Sequence, residues 1–472
     1  MILAFVVIYL LIDIGIGLWA ARRVRNTNDF VVAGRRLPLI ITASALFATW
    51  FGSETVMGAS AEFVEHGVLG VIEDPFSASL CLLLIGIFFA APMYRMNVYT
   101  FNDYFEQRYS PRVELVSALI MIPSYFGWIA GQLIAMSIIL NVIAGVPLGW
   151  GLWLCAVIVV FYTCTGGMWA VSITDFIQAI IIIIGMMILA WVMVDKVGGL
   201  QKVIDSTPKG FFNFLPPNSW EKWSIYIAAW INIGLGSIPQ QDIFQRVMAA
   251  KSERTAVNSA YLAAFMYLTV ALLPLLIALC GKLLYPQLLH GGEDTRQMLL
   301  PRMVMEYGGT GLQILLMGAL LSAIMSTASG AMLAPATVLG ENIIRPRFKE
   351  LTDKQLLLIM RLSVIFMAVC GLIMANINRN IYELASQASA ISLVSLFVPL
   401  AFGIYWRRAS ALGAMLSILA GMAVWIYAEV MAFKTPSIFF GLGASVLGML
   451  VGSFWRPQNP PTSQTQNQQN AQ

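Results

Sequence analysis

Charge is scarce in this sequence. Asp, Glu, Lys and Arg supply 11% of the 472 residues, whereas 59% are hydrophobic, and so little polar surface excludes a water-soluble globule. Histidine is nearly missing: the only two, His66 and His290, fall in or near polar joints with no metal-ligand or nucleophile spacing, which argues against a membrane enzyme. Each of the five cysteines, Cys81, Cys155, Cys164, Cys280 and Cys370, sits in an apolar stretch without a neighbour at ligand spacing, and reads as a small packing residue. Short alternating strands, the mark of a membrane barrel, are absent too, so helices are the expected spanning element. The net charge of +4 is spread over polar joints and gives no reason to invoke nucleic acid.

Long apolar runs are present instead. A bilayer core of about 30 Å takes roughly 20 apolar residues per helix, and thirteen such stretches can be marked: 2–20, 38–61, 69–94, 114–143, 148–167, 173–194, 224–248, 257–284, 311–340, 355–377, 380–405, 409–431 and 437–455. The first resembles a secretory signal in length, but its charges, Arg22, Arg23 and Arg25, follow the apolar run rather than precede it, so it reads as a membrane helix. Most of the 28 Lys and Arg then fall on inner loops, with only Arg379 and Lys434 on short outer joints. That asymmetry predicts an outside amino terminus and a cytoplasmic carboxyl terminus in a cell (inner) membrane. The tail 458–472, rich in Gln, Asn and Pro, is expected to be disordered.

Two apolar stretches are interrupted midway. In ITASALFATWFGSETVMGAS (41–60), Gly52, Ser53 and Glu54 break the run; in INIGLGSIPQQDIFQRV (231–247), Gly234, Gly236 and Pro239 precede Gln240, Gln241 and Asp242. Proline removes a helical hydrogen bond, and irregular backbone at membrane depth is tolerated only where it lines a cavity. Both stretches are therefore expected to split into half-helices. They are the second and seventh, five apart, as two inverted five-helix repeats require, with the binding site at the repeat interface. The expected organisation is a peripheral helix and loop (1–37), a first repeat (38–223), a second repeat (224–405), two peripheral helices (406–457) and the tail.

Two sets of side chains carry chemistry. Ala323, Ser326 and Thr327 are three and four apart and share one helix face, giving hydroxyl and carbonyl oxygens that suit a hard cation; small-residue helix packing would use the same residue types. A break at Gly52 would free the carbonyls of Ala48 and Phe51 to face them. Glu54 and Asp242, at the two breaks, are intramembrane carboxylates and so candidates for function. Trp50, Tyr125, Trp128 and Gln132 could add aromatic faces and a polar group near them, and carboxylates with tryptophans suit an amine or quaternary ammonium. The candidate partners of Glu54 are a cationic solute, a proton, or Gln240 or Gln241 on the facing broken helix.

Three segments, YTCTGGMWAVSITDFIQ (162–178), QQDIFQRVMAAKSERTA (240–256) and SAIMSTASGAML (322–333), resemble the sodium/solute symporters, and the resemblance covers nearly the whole chain. It implies two inverted repeats, alternating access and symport of a small solute with Na+. It maps Ala48, Phe51, Ala323, Ser326 and Thr327 onto the sodium site. Asp175 matches an aspartate that, in members binding a second sodium, acts with two hydroxyl residues; Ser329 matches one, but Gly330 takes the place of the other, which leaves Asp175 a role on the sodium exit route. ATW (48–50), PMYRMNVYTFNDYF (92–105) and IPQQDIFQRV (238–247) look most like the choline-carrying branch. That branch has tryptophan where this chain has Gln240 and glycine where it has Glu54, and sugar carriers have an aromatic gate at Asp242. The solutes in view are an amine, a quaternary ammonium or an amino acid, with a carboxylate or sugar symporter, or a sensor of the same fold, as alternatives.

Overall fold

The computed structural model describes residues 2–24, 27–98, 100–290, 292–348 and 350–457. Arg25 and the tail 458–472 lie outside the described residues. Among those described there is no β-strand, only an isolated bridge between Leu37 and Ala250. This is an all-α, multi-pass membrane protein.

Ten helices are long and apolar enough to cross a bilayer, and a bent pair, Leu39–Trp50 with Glu54–His66, makes an eleventh. The expected thirteen is not reached by this measure, for two physical reasons. The fifth and sixth stretches form one helical run, Leu148–Val197, that kinks at Gly167 (φ 61°); its first arm, Leu148–Cys164, is short. The seventh is cut into Trp220–Gly236 and Gln241–Ala249, and the second piece carries Gln241, Asp242, Gln245 and Arg246 among its nine residues, too polar to read as a lipid-facing span.

We label the elements that build the site: α1 (Ile2–Ala21), α2 (Leu39–Trp50), α3 (Ala59–His66), α4 (Pro111–Ala144), α5 (Leu148–Val197), α6 (Trp220–Gly236), α7 (Gln241–Ala249), α8 (Glu253–Val270), α9 (Thr310–Val338), α10 (Asp353–Ile377), α11 (Ile381–Ser392), α12 (Ala411–Val430) and α13 (Ser437–Trp455). Local sequence sets their starts. Ser110 accepts from the Val113 N–H ahead of Pro111, Thr352 and Gln355 form a reciprocal capping box, and Ser410 accepts from the Gly413 N–H; each satisfies a donor that the first turn leaves without a partner.

Burial separates centre from edge. Every residue of α9 from Leu316 to Val338 is buried, and 89% of the most apolar window of the helix containing it is buried, against 19% for α1. A helix apolar on all sides belongs in the middle of a bundle, whereas α1 presents Leu11 and Ile12 outward. Helices α12 and α13 form a hairpin closed by small residues: Ser417 and Ser445 hydroxyls lie 2.8 Å apart, and the Ser410 N–H donates to Ser453 Oγ at 3.0 Å. Such close approach is how helices associate where lipid supplies no hydrophobic drive.

Candidate functional site

The first break begins where Phe51 leaves the helical region (φ −75°, ψ 66°), and the two halves meet at 53°. Backbone groups freed by the interruption find side-chain partners. The Trp50 carbonyl accepts from the Gly52 N–H at 2.7 Å and from the Tyr267 hydroxyl of α8 at 3.2 Å. Gln132 of α4 bridges the gap: its Oε1 accepts from the Ser53 N–H at 3.2 Å, while its Nε2 donates to Glu54 Oε2 at 2.7 Å. Glu54 also accepts from Trp128 Nε1 at 3.0 Å and from Ser53 Oγ at 3.1 Å. Its protein partners are thus Gln132, Trp128 and Ser53, not the expected Gln240 or Gln241. Gly52 is required by close approach, because a Cβ there would lie 2.9 Å from Gln132 Oε1 and 3.3 Å from Thr327 Oγ1.

Opposite this break, α9 turns its hydroxyls inward. Thr327 Oγ1 lies 3.1 Å from the Ala48 carbonyl and 3.0 Å from the Ala323 carbonyl. Three neutral oxygens from two helices therefore converge at one buried point, the donor set a hard cation accepts. Ser326 faces the other way, donating to Asp175 Oδ1 of α5 at 2.6 Å. Asp175 and Ser329 are both buried.

The second break spans Ser237 to Gln240 and is sealed by charge. Arg246, 2% exposed, heads the largest fully buried side chains. Its Nε donates to the Ala45 carbonyl of α2 and its Nη1 to the Asp242 carbonyl, each at 3.1 Å. The guanidinium also attracts the Asp242 carboxylate one turn away, and Asp242 Oδ1 accepts from the Tyr125 hydroxyl at 2.6 Å. A Cβ on Gly330 would stand 3.1 Å from Arg246 Nη2: the glycine that replaces a hydroxyl residue of α9 makes room for this guanidinium. Gln241 accepts from the Phe101 N–H at 2.6 Å and so completes the start of the helix Phe101–Arg108.

Between the breaks is a small cavity of about 30 Å³, lined by Trp50, Glu54, Asp74, Trp128, Gln240 and Tyr267 together with Ser237 and Ser389, whose hydroxyls lie 2.9 Å apart. Among the described residues, no Lys or Arg is in its lining. Of the residues expected near a solute, Trp50, Glu54, Trp128 and Gln240 line it; Gln132, Tyr125, Gln241 and Asp242 do not.

A model of the sodium:solute symporter family matches residues 30–421. The chain belongs to that family. Among its relatives are the human high affinity choline transporter 1 (27% identical, covering 93% of this chain and 78% of the relative). The osmoregulated proline transporter of Bacillus subtilis (strain 168) is 26% identical, covering 94% and 92%, and the sodium/glucose cotransporter of Vibrio parahaemolyticus 23%, covering 95% and 88%. A substrate-bound, outward-open Na+-coupled sialic acid symporter superposes with a TM-score of 0.84 at 18% identity, over 97% of this chain and 98% of that one, which establishes a shared fold. The relatives are transporters rather than enzymes.

Within this sodium:solute symporter, Asp74, Tyr267, Ser237, Ser389 and Arg246 escape the sequence reading. Asp74 had a signal: Glu73-Asp74-Pro75 puts two carboxylates and a proline inside the apolar stretch 69–94, the same pattern that marks the other breaks. The chain does leave helical geometry there, at Asp74 (φ −140°, ψ 117°). Tyr267 and Ser389 are ordinary residues of smooth helices, and only packing brings them to the cavity.

Proposed function

We propose that this chain takes up a small organic cation by sodium-coupled symport through alternating access. The observation that carries the reading is the oxygen cluster of Thr327, Ala48 and Ala323, which ties the first break to α9, so that an ion held there would set the break's geometry. Ser326 and the Phe51 carbonyl complete the proposed sodium set, and Asp175 with Ser329 forms an exit route. The charge of the solute follows from the cavity: two carboxylates, two indoles, a phenol and no basic side chain favour a cation by Coulomb and cation–π attraction and disfavour a carboxylate. Uptake into proteoliposomes, with and without an inward sodium gradient, tests the coupling; solute accumulation indifferent to sodium would refute it. The asymmetry of Lys and Arg between the loops supports an outside amino terminus and a cytoplasmic carboxyl terminus. Reporter fusions finding both ends on one side would overturn that topology.

A further inference from the structure

Resting on the reading of this cavity as the solute site, we infer that Asp74 is the solute-recognising carboxylate and that the solute is an ammonium bearing N–H groups, not a quaternary ammonium. The two cavity carboxylates differ in what they have left to accept. Glu54 has donors on both oxygens: Trp128 on Oε1, Gln132 and Ser53 on Oε2. Asp74 has a donor on one side, the Thr55 hydroxyl at 2.7 Å from Oδ2. Its Oδ1 is buried without a hydrogen-bond partner among the described residues, on a residue 2% exposed that lines the cavity.

A buried carboxylate oxygen without a donor bears a desolvation cost that an arriving donor relieves; Asp242 Oδ2 and Glu73 Oε2 share that state, but neither residue lines this cavity. Of its polar neighbours, the Thr55 hydroxyl is taken by Oδ2 and the Tyr267 hydroxyl meets Thr55 and the Trp50 carbonyl, while the Tyr382 hydroxyl, also buried without a hydrogen-bond partner among the described residues, is the protein donor left nearby. An occupant of the cavity that Asp74 lines can supply the missing donor. A quaternary ammonium has no N–H and is held by Coulomb attraction and aromatic faces, so it would leave Oδ1 without a hydrogen bond. An N–H of a protonated amine satisfies it, while the second carboxylate, Glu54, adds to the attraction and the Trp50 and Trp128 rings bound the space.

The test is a methylation ladder on purified full-length protein in nanodiscs with sodium present: ethanolamine, its N-methyl and N,N-dimethyl derivatives, and choline, each titrated calorimetrically. Affinity is expected to fall about tenfold or more from ethanolamine to choline, the scale of one hydrogen bond to a charged group. In Asp74→Asn, ethanolamine should weaken by about ten- to a hundredfold and the ladder should flatten, with sodium binding in the absence of amine retained as the check on folding. The ladder on unmodified protein stands even if the variant fails to fold. Choline binding as tightly as ethanolamine would overturn the inference, as would no amine binding at millimolar concentration. A sodium gradient that drives uptake of a sugar or carboxylate instead would sink the amine class and leave symport standing. The expected ladder without sodium-driven uptake would do the reverse.

Discussion

The two breaks solve one problem by opposite means. Each leaves backbone groups without helical partners deep in an apolar protein. At the first, the partners are neutral: Gln132, Thr327 and Tyr267 hold the freed N–H and carbonyl groups, and the one charge, Glu54, faces the cavity. At the second, a buried Arg246 reaches across to the Ala45 carbonyl of the first broken helix and to the Asp242 carbonyl in its own. Neutral oxygens leave a place for a mobile cation, whereas a guanidinium occupies that place permanently. The first break is therefore suited to binding and release, the second to holding the two broken helices together.

Removing the guanidinium should produce the largest effect. Arg246→Met keeps the apolar stem but removes the cation one turn from the Asp242 carboxylate and takes the donors from the Ala45 and Asp242 carbonyls, a loss of about 1.5 to 3 kcal/mol for each hydrogen bond from a charged group. Thermal melting of purified protein should show a large drop in midpoint, partly recovered in Arg246→Met with Asp242→Asn, since the stranded charge is then gone. An unchanged midpoint in the single variant would erase the contrast drawn between the breaks.

Glu54→Gln should act less. The amide keeps one acceptor oxygen but turns an NH2 toward either Trp128 or the Gln132–Ser53 pair, leaving donors facing a donor at a cost of about 1 to 3 kcal/mol. Stability should fall by that amount, with solute affinity per folded molecule reduced less than by Asp74→Asn. Full stability together with lost affinity would reverse the roles assigned to the two carboxylates.

Much of this contrast was legible in the residues themselves. Gly52 and Pro239 mark the breaks because glycine permits and proline forces an interruption, and Ala323 with Thr327 marks a face because helical spacing is fixed, whereas Ser326 next to them turns to Asp175. What the order of residues does not contain is where long side chains end. Arg246 stands in a motif of family resemblance, yet only the packed bundle shows its guanidinium against Gly330. Gln132 reads as a polar group near the solute, and packing turns it into the brace of the first break. The fold needs only the apolar runs and their interruptions, but the site depends on convergence of α4, α8 and α11 on residues far away in the chain.

The smallest expected effect separates two adjacent hydroxyls. Thr327 lies against both the Ala48 and Ala323 carbonyls, whereas Ser326 donates to Asp175. Thr327→Ala should remove one oxygen from the cluster at the first break, worth about 0.5 to 1.5 kcal/mol as a neutral polar contact, or roughly two- to tenfold in the sodium concentration giving half-maximal uptake. Folding should be nearly intact, because alanine is the best helix former. Ser326→Ala should shift sodium activation less, since its hydroxyl is turned to Asp175 in this arrangement and would reach the ion only by giving up that bond. Measuring sodium activation in both variants and in Ser326→Ala with Asp175→Asn decides the point: Ser326→Ala shifting activation more than Thr327→Ala would mean that the ion is held on the Asp175 side of α9, and the neutral cluster at the first break would lose its role.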